Sequence, residues 1–157
     1  MYKAMNIAQY IITKCTQDGS PISNLQLQKI LYFTQGVCLA KNNHILFEEN
    51  IFAWYIGPVV PNVYYRFCGY GASKILGRYP GIMIEKDTKV LIDQIVEEKR
   101  VLYPWVLRTQ TQKEGGASVS YTHLAAPFPW ISWATRSKNS LSAQKTVLIP
   151  PLEPSKN

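Results

Sequence analysis

The sequence predicts a mainly α fold, a compact helical domain with a small β-hairpin, and three observations predict it. Apolar residues recur at helical spacing in successive segments, the strongest of these segments opens on a complete capping pattern, and the strand-like runs are short and lie together between residues 44 and 55. A chain of 157 residues, 46% hydrophobic and 12% aromatic, has ample material for one core.

The first element rests on Ala4, Ile7, Ala8, Ile11, Ile12 and Cys15, which share one helical face; Asp18-Gly19-Ser20-Pro21 then ends the pattern with turn chemistry. The second helix spans about 23–41. Ser23 and Gln26 form a capping box, Ile22 and Leu27 bracket it as a hydrophobic staple, and Leu27, Ile30, Leu31, Thr34, Val37 and Cys38 continue the apolar face. Tyr32, Phe33 and Leu39 widen that face, so this helix is expected to be central and contacted on several sides. After Asn42-Asn43, the runs His44–Phe47 and Ile51–Tyr55, separated by Glu48-Glu49-Asn50, predict a hairpin that must lean on the helices.

The stretch FAWYIGPVVPNVYYRF, residues 52–67, follows. Gly57-Pro58 breaks the preceding element, Pro61 suits the first position of a helix, and Val60, Val63, Tyr64 and Phe67 give a short helical face closed by Gly69-Tyr-Gly71. Residues 72–86 read as loop. Asp87 is placed to cap a helix over about 88–98, with Leu91, Ile92 and Ile95 inward, and Pro104 opens a further helix over Trp105–Lys113. Beyond Ala117 no long amphipathic period survives. Pro127, Pro129, Pro150, Pro151 and Pro154 interrupt the chain, and the tail from about 150 reads as disordered.

Charge is unevenly placed. Residues 1–98 carry nine basic and eight acidic residues and residues 99–157 carry eight and two, so the net charge of +7 belongs to the C-terminal third. No block of like charges appears there, and nucleic-acid binding is the weaker reading. Cys15, Cys38 and Cys68 are odd in number, far apart and set among apolar residues, which predicts reduced core thiols. The N-terminal MYKAMNIAQYIITK lacks an uninterrupted apolar run and no segment approaches a membrane span, so a soluble, cytoplasmic protein without membrane contact is expected.

Nothing in the pattern marks catalysis. His44 and His123 are the only histidines, no cysteine or histidine lies two to five positions from another, and no nucleophile elbow is present. Gly69-Tyr-Gly71-Ala-Ser-Lys74 lacks the ending and the strand context of a phosphate loop and reads as a helix stop. Thr111, Lys113 and Glu114 read as a solvated helix end. No catalytic residue, cofactor or metal is predicted, although a cryptic enzyme and a nucleic-acid-associated accessory protein stay open as alternatives.

The aromatics of residues 52–67 are the remaining candidates. Most are expected in the core, but they cannot all point inward: Trp54 and Tyr55 face opposite sides of a strand, and Tyr64 and Tyr65 diverge by about 100° on a helix. Trp54, Tyr55, Pro58, Val59, Pro61 and Tyr65 are therefore the predicted partner-binding residues, a proline-stiffened aromatic surface of the kind that forms interaction hot spots.

Three ordered motifs then carry a resemblance. Ser-Asn-Leu-Gln-Leu-Gln-Lys-Ile-Leu-Tyr-Phe-Thr-Gln-Gly at 23–36, Leu-Phe at 46–47 and Ala-Trp-Tyr-Ile-Gly-Pro-Val-Val-Pro-Asn-Val-Tyr at 53–64 resemble the Panacea domain of SocA-like, phage-associated antitoxins. The resemblance covers about 4–98 and thins to about 117. It implies a mainly helical, non-enzymatic domain that neutralises a cognate toxin protein by direct contact, in one member as an adaptor to a cellular protease. It also implies a division into an antitoxin-like domain over 1–117 and a divergent segment over 118–157. In that segment the family's Thr-His and Pro-Trp pairs have their nearest equivalents in Thr122-His123 and Pro129-Trp130.

Overall fold

The computed structural model describes residues 1–113; the segment 118–157, with His123, Pro129-Trp130 and the tail from about 150, lies outside the described residues. Five helices and a two-stranded antiparallel hairpin make up the described part: α1 Ala4–Gln17, α2 Asn24–Asn42, β1 Phe52–Trp54, β2 Gly57–Val59, α3 Pro61–Phe67, α4 Lys86–Arg100 and α5 Pro104–Lys113. The mainly helical fold with its small hairpin is as the sequence predicts.

α2 is the hub, in contact with all the other helices and with β2. Its start is the predicted capping box: the Ser23 hydroxyl accepts from the Gln26 backbone N–H, and the Gln26 side chain accepts from the Ser23 N–H at 3.0 Å. Its end is Asn43 in the left-handed conformation (φ 59°), which asparagine tolerates better than most residues. The stripe predicted for α1 is buried in full, and with Leu27, Ile30, Leu31, Phe47, Val63, Phe67, Ile92 and Val96 it builds one apolar core. A smaller cluster of Phe33, Ile95 and Leu107 packs α5 onto α2 and α4.

Four expectations are corrected. Thr111, expected at a solvated helix end, is buried, and its hydroxyl donates to the Arg108 carbonyl at 2.7 Å. The hairpin does not pair 44–47 with 51–55; it pairs β1 with β2 in the register Phe52↔Val59, Ala53↔Pro58, Trp54↔Gly57. Gly57-Pro58 looks like a breaker, yet Gly57 at φ +96° closes the turn over Tyr55-Ile56, and a two-stranded sheet has only edge strands, where proline is tolerated. Asp87 does not cap α4, which begins at Lys86 after Glu85 and has no side-chain cap. Cys15 and Cys38 are buried thiols, but Cys68 is exposed in the 3-10 turn that follows α3.

Candidate functional site

The hairpin tip is held from behind by polar side chains of α2. Lys29 is fully buried, and its Nζ donates to the Pro58 carbonyl at 2.9 Å. One residue earlier, the Gln28 side chain accepts from the Val60 N–H at 2.9 Å and donates to Oδ1 of Asn24 one turn before it, while Asn24 Nδ2 donates to the Tyr64 carbonyl at 3.0 Å. Three polar residues of the first two turns of α2, Lys29, Gln28 and Asn24, thus fix β2, the entry to α3 and α3 itself. Farther along, Gln35 accepts from the N–H groups of Leu46 and Phe47 and donates to the Phe47 carbonyl. That single side chain does for residues 46–47 what a neighbouring strand would do, which explains why the run 44–47 is buried at its end without pairing in the hairpin.

Gly57 belongs to the same arrangement. A Cβ at this position would lie 3.0 Å from Lys29 Nζ and 3.1 Å from its Cε, so glycine is favoured by its positive φ, and any side chain would also have to push the lysine behind it aside. Burial drives the Lys29 ammonium down from its ordinary value of 10.5 to about 7, with the nearby Arg108 guanidinium adding in the same direction.

In front of this frame lie the aromatics. Trp54 packs edge-on to Tyr64 (ring centroids 5.1 Å) and at 5.8 Å from Tyr65, and the two tyrosines stand 5.9 Å apart, so the divergence expected from helical geometry is bridged by the Trp54 ring. Tyr55, on the other side of the tip, faces α5, with the Arg108 guanidinium 5.1 Å from its ring centroid. Tyr55 and Tyr65 are 70% and 64% exposed.

Of the six residues singled out from sequence, the structure leaves Tyr55 and Tyr65 on the surface and Trp54 and Pro61 half-buried, and it buries Pro58 and Val59. Val59 belongs to the core and Pro58 presents its carbonyl to Lys29, so these two position the tip and offer no contact area. Lys29, Gln28, Gln35 and Asn24 were missed because polar residues in a helix read as its solvated face. The available signal was their density on a helix already predicted to be surrounded.

The described residues contain no group of three or more His, Cys, Asp or Glu side chains placed to hold a metal ion, and His44 is exposed. No described helix is long and apolar enough to cross a membrane. One shallow cavity of about 300 Å³ lies between the N-terminus, His44–Leu46 and the start of α4, away from the hairpin tip. The candidate site is accordingly an exposed aromatic tip on a polar-clamped frame.

Comparison with known proteins gives this geometry a family. The family model described as "Antitoxin SocA-like, Panacea domain" matches residues 27–130, which include Gln28, Lys29 and Gln35 of α2, the hairpin, α3, α4 and α5. The protein named Antitoxin SocA of Caulobacter vibrioides (strain NA1000 / CB15N) is 39% identical over 75 residues, which is 48% of this chain and 40% of that protein. The chain therefore spans about two fifths of the length of the curated relative it matches, and no solved structure matches it. On the family match, the chain belongs to the SocA-like antitoxin family built on the Panacea domain.

Proposed function

We propose that this protein is the antitoxin of a toxin–antitoxin pair and neutralises a cognate toxin by direct protein–protein contact at the hairpin tip. The observation that carries the reading is the pairing of two exposed tyrosines, Tyr55 and Tyr65, with a backbone immobilised from behind by Lys29, Gln28 and Gly57. A tip already fixed in the free protein loses little conformational entropy on binding, and tyrosine contributes large contact area with few rotatable bonds. Family membership supports the class of partner, since the matching relative is itself named an antitoxin. Delivery of the toxin to a cellular protease is a finer mode of the same activity, and it would show as a shortened toxin half-life when this chain is present.

The test is co-expression with the product of the adjacent open reading frame. The neighbour should arrest growth alone and be tolerated with this chain, and Tyr55→Ala with Tyr65→Ala should abolish protection while leaving the thermal midpoint within a few degrees. A harmless neighbour, or toxicity that persists beside soluble wild-type chain, would sink the reading.

A further inference from the structure

We infer that the face formed by the hairpin tip, α3 and the first turns of α5 takes an acidic segment of the partner protein. The inference rests on the antitoxin reading for the partner's being a protein, and on charge and ring placement for its chemistry. Residues 50–84 and 104–113 contain no Asp or Glu, so the hairpin, α3 and α5 bring no carboxylate of their own to this face. They do bring Arg66, exposed on α3 with its guanidinium 5.8 Å from the Phe67 ring centroid, and Arg108, half-buried over the Tyr55 ring. Toward the start of α5, Tyr103 and Trp105 stack with ring centroids 4.6 Å apart and planes within 6°, each more than 60% exposed. Trp105 and Arg108 are three residues apart on α5 and therefore neighbours on its surface, which makes the ring pair continuous with the Tyr55 side of the tip.

The carboxylates of the described residues lie elsewhere and are largely engaged. Glu48 pairs with Lys3, Glu49 accepts from the Ala4 N–H, Asp18 and Glu97 are tied to Lys14 and Arg100, and Glu98 pairs with Lys99. Segregation of this kind leaves a face whose own groups repel cations and attract anions, while its rings offer apolar area. Guanidinium groups suit carboxylates because the planar fork matches two oxygens. A nucleic-acid strand would also stack on rings, but two arginines fall well short of the roughly 6–10 phosphate contacts that underlie counterion-driven binding, so the acidic peptide is favoured.

The experiment uses the full chain and three fluorescein-labelled probes: a ten-residue peptide of alternating Glu and Phe, its Lys–Phe counterpart, and a single-stranded oligothymidine of twenty nucleotides. Fluorescence anisotropy should show the Glu–Phe peptide bound at least tenfold more tightly than the Lys–Phe peptide. Arg66→Glu, at an exposed site, should weaken that binding several-fold without shifting the melting temperature, and so should Trp105→Ala. Equal binding of the two peptides, no binding of either, or tighter binding of oligothymidine overturns the inference. The neighbour-encoded toxin separates this result from the antitoxin reading. If Arg66→Glu and Trp105→Ala leave neutralisation intact, the acidic docking face falls and the antitoxin stands. If the peptide preference holds but the neighbour is harmless, the face stands and the antitoxin falls.

Discussion

The seam between α1 and α4 and the seam between α2 and the hairpin are stabilised in opposite ways. Between α1 and α4 the interior is apolar, and the charged groups lie outside it: Lys14 and Arg100 each bridge Asp18 and Glu97, and the Tyr10 hydroxyl donates to Asp93. Between α2 and the hairpin the polar groups are inside, and each answers a backbone group that no strand or helix satisfies. Surface ion pairs form in high dielectric and contribute little, whereas a buried backbone group deprived of its partner suffers its full desolvation. The lesson is that hydrogen bonds of similar length differ in consequence according to what they leave behind when removed.

Four substitutions break or sharpen that contrast. The largest effect is expected from Gln35→Leu, which strands the N–H groups of Leu46 and Phe47 and the Phe47 carbonyl. It should destabilise by about 3 kcal/mol or more, read from the urea midpoint. Gly57→Ala comes next, at about 2 kcal/mol, because the residue must hold a positive φ and displace the Lys29 ammonium; the same denaturation curve reports it.

The third concerns pH. Folding lowers the Lys29 ammonium from 10.5 to about 7, so between those values the unfolded chain binds more protons than the folded one and stability rises with pH. The ceiling is about 1.4 kcal/mol per pH unit, and relaxation around the charge reduces the expected rise to about 1 kcal/mol from pH 7 to 9.5. Tyr10, whose hydroxyl burial and Asp93 hold protonated above its ordinary range, acts in the opposite sense only beyond that window. Burial holds the Cys15 and Cys38 thiols above their ordinary value of 9.0, which lowers stability toward the alkaline end of the window in wild type and variant alike. Thermal melts across it should therefore climb for the wild type relative to Lys29→Met, and the difference between the two curves reports the lysine.

Smallest is Asp18→Asn on the other seam, which should shift stability at neutral pH by no more than about 0.5 kcal/mol. Hydrogen bonds from Arg100 and Lys14 hold the Asp18 carboxyl below its ordinary value, so its contribution is present above the carboxylate range and fades as pH falls through it. The variant should lose that acid-side slope in pH-dependent melts. A result in which Asp18→Asn costs as much as Gln35→Leu would reverse the comparison.

The helices were legible because their determinants are local. The α1 stripe, the Ser23–Gln26 box, Pro61 at the start of α3 and Pro104 at the start of α5 all stand within a few residues of the elements they specify. The hairpin register was not legible, since it depends on Gln35 taking residues 46–47 out of competition and on Lys29 accommodating Gly57, contacts that span 11 to 29 positions. Exposure of Tyr55 and Tyr65 followed from the argument that adjacent aromatics cannot all turn inward. The inward turn of Pro58 and Val59 did not, because proline content suggests a stiff surface turn whereas the stiffness here comes from beneath.

The close approach of Lys29 to Gly57 separates two kinds of evolutionary freedom. Positions behind the tip are locked to one another, so a change in any of them disturbs the frame. Tyr55 and Tyr65 stand outside that lock, and replacing them alters what the tip meets without altering how it is held. If the tip is the docking site proposed above, such a molecule would exchange one partner for another by drift at two or three outer positions while the domain beneath stays the same.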